Sequence, residues 1–162
     1  MRHDNAGRYT LARRVIVGIN DSAASTVTAD ARDLPCTELP NGILLQEVWQ
    51  QRRIPAEPSD RPELDWTLGP AAPTEGAVVR ILTVPAGNDT SATPDLHTDP
   101  SLHVITMLSG DLVVVLEDGE VALGVGDSIV LRDSMHDLRN DQTVPASFVY
   151  TSFPLTRSGR EQ

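Results

Sequence analysis

Short apolar runs bounded by turn-forming residues recur along this chain, the pattern of a β-rich protein. Arg14-Val15-Ile16-Val17-Gly18 is a short apolar run closed by the turn-forming Asn20-Asp21-Ser22, and residues 24–28 can return as the second strand of a hairpin. Residues 42–50 and 77–84 read as two more strands, the latter stopped by Pro85-Ala86-Gly87. The second half is patterned most clearly. Strands are predicted at 103–108, 112–117, 120–123, 127–131 and 145–153. Their turns are Ser109-Gly110-Asp111, the dipeptide Asp118-Gly119, which suits a type I′ hairpin, and Gly124-Val125-Gly126. No stretch sustains a helical period. Short strands with a turn about every eight residues predict an all-β sandwich or barrel.

Residues 55–75 break this pattern with Pro55, Pro58, Pro62, Pro70 and Pro73. Proline cannot donate to a ladder, so the segment is a loop, long for a compact domain. Such loops serve as lids or as arms on a neighbour, with Trp66 as the anchor here; a surface excursion without a role fits equally well. The organisation is therefore one domain over 13–154 containing the 55–75 loop, a flexible N-terminus over 1–12 and a C-terminal tail over 155–162.

The chain has 162 residues, enough for one core, and a formal net charge of −10. All 13 of its Lys+Arg residues are arginine. Without lysine there is no Schiff-base chemistry and no P-loop. The negative balance argues against nucleic acid and against an anionic membrane as partner. A single cysteine, Cys36, removes intrachain disulfides and cysteine metal clusters. No secretory h-region and no run long enough to span a bilayer is present, so a soluble, cytoplasmic protein is expected, with a small molecule as partner.

Of four histidines, His3 sits in a polar terminus, whereas His97, His103 and His136 bracket the best-patterned hairpin. His97, Asp99 and His103 share parity, but a straight strand would hold His97 and His103 roughly 20 Å apart. Asp99-Pro100-Ser101 favours a turn that lets His97 end one strand and His103 begin the next, side by side. Three histidines lining one pocket is the expectation. Asp99 can equally serve only to cap that turn, and His103 can be a hydrogen-bonded core residue.

Two segments resemble the paired motifs of the cupin superfamily. The first motif, His-x-His, then Glu, then Gly seven positions on, is matched by His97-x-Asp99-x-x-x-His103 and Gly110. The second, Gly, a short apolar strand and His-x-x-x-Asn, is matched by Gly126-Asp127, Ile129-Val130-Leu131, His136 and Asn140. Arg13-Arg14-Val15-Ile16-Val17-Gly18 is similar to the opening of small bacterial and fungal cupins. The resemblance implies a single jelly-roll-like β-barrel, with the first hairpin as an N-terminal arm and a homodimer as assembly. It departs from the motifs at Asp99, which replaces a His, at His103, which replaces the Glu, at Asp133, which replaces a Gly, and at Leu138, which replaces an aromatic.

The ligand positions implied by the resemblance are thus His97, Asp99, His103 and His136. Those side chains can bind a divalent metal, Fe, Mn, Zn or Ni. Without metal, His136 and His103 are the catalytic candidates, as acid and base near neutral pH. By alternation Ile43, Leu45, Glu47 and Trp49 share a face with Gln46 and Gln50 outside, so Glu47 points inward, as an acid, a base or a salt-bridge partner of Arg80. Arg80 can anchor a substrate carboxylate. Ile105 and Met107 share the face of His103 and supply apolar lining, while Tyr150 fits either face. The expected function is a small-molecule enzyme of the oxygenase, decarboxylase, isomerase, cyclase or lyase type. The alternative is a module that binds a ligand without turning it over.

Overall fold

The computed structural model describes residues 11–32, 34–57, 71, 73–88 and 93–156. Trp66 and most of the 55–75 loop lie outside these residues, as do 1–10 and 157–162. Among the described residues there is no helix, and so none long and apolar enough to cross a membrane.

Among the described residues there are eleven strands. A separate hairpin pairs β1 (Arg14–Ile19) with β2 (Ser25–Ala31). The other strands are β3 (Cys36–Glu38), β4 (Leu44–Gln51), β5 (Ala77–Val84), β6 (Ser101–Ser109), β7 (Leu112–Leu116), β8 (Gly119–Leu123), β9 (Ser128–Arg132), β10 (His136–Arg139) and β11 (Ala146–Pro154). They form a six-stranded sheet in the order β3-β4-β5-β11-β6-β9 and a three-stranded sheet in the order β10-β7-β8. Every pairing is antiparallel. The expected all-β architecture is what the chain adopts.

Strand β6 shows how sequence becomes position. From Ser101 to Met107 its residues alternate between buried and half-buried, and the pleat turns His103, Ile105 and Met107 to one side. Ile105 and Met107 join Ile43, Val84, Leu112, Val114, Leu131 and Phe148 in the core between the two sheets. After β6 the chain crosses from the large sheet to the small one through Gly110, whose φ is +69° and where a Cβ would lie 2.7 Å from the carbonyl oxygen of Pro145. Only glycine satisfies both constraints.

Three local expectations are corrected. The β7–β8 turn is not type I′: Leu116 pairs with Gly119, so Glu117 and Asp118 are the loop, and Gly119 alone has positive φ. Type I′ needs positive φ at both central residues, which Glu and Asp resist. Gln46 and Gln50 are buried rather than outward in solvent. A register shift between Glu47 and Trp49 breaks the alternation, and the Ala12 N–H donates to Gln46 Oε1 at 2.7 Å across the outer side of β4. Finally, the backbone neighbour of His97 is not His103. His97 and His136 exchange two backbone hydrogen bonds, both 3.0 Å, as an isolated antiparallel bridge.

Candidate active site

The open side of the large sheet walls a cavity of about 630 Å³. Leu39, Ile43, Leu45, Leu82, Ile105 and Leu138 give it an apolar lining, and at its polar end stand His97, Asp99, His103, His136, Asp137 and Tyr150. They reach the cavity from several elements: His97 and Asp99 from the segment before β6, His103 from β6, His136 and Asp137 from β10, and Tyr150 from β11. The Asp99-Pro100-Ser101 corner is tight, with the Ser101 N–H donating to the Asp99 carbonyl at 2.7 Å, so β6 starts directly after Asp99. Strand β10 brings in His136, paired against β7 through His136 and Leu116. The turn before β10 needs a left-handed residue, and Asp133 supplies it with φ +48°. Asp tolerates that region better than most residues, and its carboxylate accepts the Thr98 hydroxyl at 3.2 Å, so the Gly-to-Asp departure preserves the local geometry.

His136 is the centre of the group. Its ring centroid lies 4.7 Å from that of His97 and 6.0 Å from that of His103. His136 Nδ1 is 2.8 Å from the Ser134 carbonyl, and His97 Nδ1 is 2.9 Å from the Asp95 carbonyl. A carbonyl only accepts, so both rings carry a proton on Nδ1, and a neutral His136 therefore presents an unprotonated Nε2. Burial lowers the pKa of His136, against the opposing bond to Ser134, and the neighbouring His97 lowers it further. Burial likewise lowers that of His103, opposed by the charge of Asp99. Both imidazoles are therefore neutral at pH 7.

His103 Nε2 stands 2.9 Å from Asp99 Oδ1, and the carboxylate favours the protonated form of the ring against the effect of burial. The Tyr150 ring lies 4.8 Å from that of His103, with its hydroxyl 3.5 Å from Nε2. Burial pushes the Tyr150 phenol up to about 12, so it keeps its proton at neutral pH. The donor types suit a metal ion, but their placement does not: among the described residues no group of three or more His, Cys, Asp or Glu side chains is arranged to hold one. His97, Asp99, His103 and His136 share the cavity without forming a ligand cage.

The remaining candidates divide. Arg80 lines the cavity, its Nε donating to Glu47 Oε1 at 2.9 Å and its Nη1 to the Ala71 carbonyl at 3.2 Å. Glu47 is 1% exposed and stands behind Arg80, outside the lining. Met107 is packed in the core and does not line the cavity. Alternation along β6 identifies its face but not how deep along the strand the cavity ends. Asp95, Asp137 and Leu138 were not anticipated. Asp137 and Leu138 belong to β10, which is too short to show alternation, and Asp95 is held against it, its N–H donating to Asp137 Oδ2 at 3.1 Å; the spacing of Leu138 two residues after His136 is the available signal.

No known family's sequence model matches the chain, and no curated protein matches it either. Solved structures do. The cupin domain of Cnp3 from Schizosaccharomyces pombe is similar with a TM-score of 0.56 at 10% identity, covering 91% of this chain and 90% of that one. An RmlC-like cupin from Shewanella frigidimarina has a TM-score of 0.53 at 11% identity, covering 77% and 87%. A putative ethanolamine utilization protein Q from Salmonella typhimurium has a TM-score of 0.51 at 11% identity, covering 91% and 100%.

Proposed function

We propose, from the cupin fold that this chain has, that its barrel is a small-molecule enzyme that moves a proton on a carbon next to a carbonyl. The products of such a step are those of an isomerase, cyclase or lyase. The observation that supports this best is the polar end of the cavity, where a neutral His136 with a free Nε2 sits beside His103–Asp99 and the protonated phenol of Tyr150. An otherwise apolar pocket with a few convergent titratable groups is the usual form of a catalytic site.

The roles follow from the protonation states. His136 Nε2 accepts the proton from the carbon as the C–H bond breaks, and the electron pair moves onto the carbonyl oxygen. Tyr150, still protonated, donates a hydrogen bond to that oxygen as charge develops. Asp99 stabilises a positive charge on His103, so this second imidazole can take and return protons during the turnover. The apolar wall keeps water from the enolate. No part of this sequence calls on a metal.

The test is hydrogen exchange in D2O, followed by NMR, with a panel of enolisable ketones. The native protein is expected to speed incorporation of deuterium. His136→Ala should lower the rate by about 100-fold or more and Tyr150→Phe by about tenfold. Ligands that bind in the cavity yet exchange no faster than in buffer would overturn the enzyme reading and leave a binding module.

A further inference from the structure

We propose that the substrate is a carboxylate, anchored by Arg80, with an oxo group one or two carbons away that meets Tyr150. This names the substrate class of the proton-transfer site above and rests on that reading for the second half of the claim.

Arg80 is the anomaly of the cavity wall. Along the inner side of β5 it stands in series with Val78, Leu82 and Val84, and it is 3% exposed. Burying an arginine and a glutamate there gives little stability that aliphatic side chains of the same volume would not give. The pair is also incomplete as a salt bridge. Glu47 meets only the Nε edge through Oε1, and its Oε2 has no hydrogen-bond partner among the described residues. Of the five N–H donors of the guanidinium, Glu47 and the Ala71 carbonyl engage one each. The carbonyl is a neutral acceptor, and a ligand carboxylate at the same edge makes a stronger, charge-assisted bond.

Register places this group beside the chemistry. Tyr150 is the direct cross-strand partner of Arg80, and Glu47 is the partner on its other side. Adjacent strands stand about 5 Å apart. A carboxylate on Arg80 therefore lies next to the Tyr150 hydroxyl, which in turn neighbours His103. A short 2-oxo or 3-oxo acid spans that row, with its oxo oxygen on Tyr150 and its acidic C–H toward the imidazoles. Glu47 holds the guanidinium in place from behind and offsets its charge in part. That balance suits a monoanion and disfavours a phosphate dianion, which would want several cations.

Calorimetric titration of the full-length protein with short-chain 2-oxo carboxylates and their matching 2-oxo carboxamides tests the assignment. The acids should bind at least about tenfold more tightly than the amides. In the double variant Arg80→Met with Glu47→Leu, which removes both charges and keeps the packing, the two series should bind alike. Amides that bind as tightly as acids in the native protein, an acid preference that survives the double exchange, or no binding of any acid would each overturn it. Neutral ketones that exchange deuterium through His136 while acids gain nothing from Arg80 would remove this inference alone. Acids that bind through Arg80 without exchange would instead remove the proton-transfer reading.

Discussion

His103 and His136 are buried imidazoles whose neutral form the fold selects, and this has a thermodynamic signature. Their folded pKa values lie below the ordinary 6.5 of the unfolded chain, chiefly through burial. Above 6.5 both states are neutral and the stability is fully present. As pH falls through the lowered folded values, the unfolded state takes up protons first and stability is lost. The melting temperature should therefore decline between pH 7 and 5, and more steeply for the native protein than for the double variant His103→Gln, His136→Gln; parallel curves would contradict the assignment. The same residues bear on metal. With His103 Nε2 set against Asp99 Oδ1 and no group of three donors among the described residues arranged for an ion, exhaustive dialysis against a chelator should leave the melting temperature and the deuterium exchange unchanged. A stoichiometric ion by elemental analysis, with exchange lost on its removal, would show that these side chains rearrange around one.

At the scale of elements, the site is held by the contact of the two sheets. Phe148 of β11 is fully buried in that core, beside the strand that carries His103. Phe148→Ala should cost about 3–5 kcal/mol in denaturant unfolding, since it opens a cavity the surroundings fill only in part. A cost below about 1 kcal/mol would mean that the sheets do not pack there as described. What the sequence disclosed follows the same physics. Strands β5, β6, β7 and β11 are legible as apolar, β-branched runs closed by turn residues, and alternation along β6 carries the inward face of His103 with it. The β3 and β10 strands are too short to show a period. In β4 the register shift after Glu47 defeats a parity argument, so the inward turn of Glu47 was readable while the burial of Gln46 and Gln50 was not. The clustering of the three histidines was legible from motif spacing. That His136 rather than His103 neighbours His97 was not, because the bridge between His97 and His136 joins segments far apart in the chain.

At the scale of the whole molecule, the β1–β2 hairpin stands out. It meets the barrel through the bond of the Ala12 N–H to Gln46 and that of Arg14 Nη1 to the Val48 carbonyl, at 2.7 and 3.1 Å. Val15, Val17, Ile19 and Val27 lie exposed on it, and Val17 pairs directly with Val27. A two-stranded ribbon is marginal alone, and an apolar face of this kind gains by being covered. The prediction is a homodimer with this face inside it. Sedimentation should give the mass of two chains, with Val17→Asp weakening association at least about tenfold. A native protein that sediments as a monomer would contradict it.

The central claim is that a neutral His136 presents a free Nε2 to the cavity. Imidazole nitrogen NMR of the uniformly 15N-labelled protein at pH 7, assigned with His136→Gln, tests it without any knowledge of the substrate. The expected result is a protonated Nδ1 and an unprotonated Nε2 for His136. An imidazolium, or the opposite tautomer with its proton on Nε2, would contradict it.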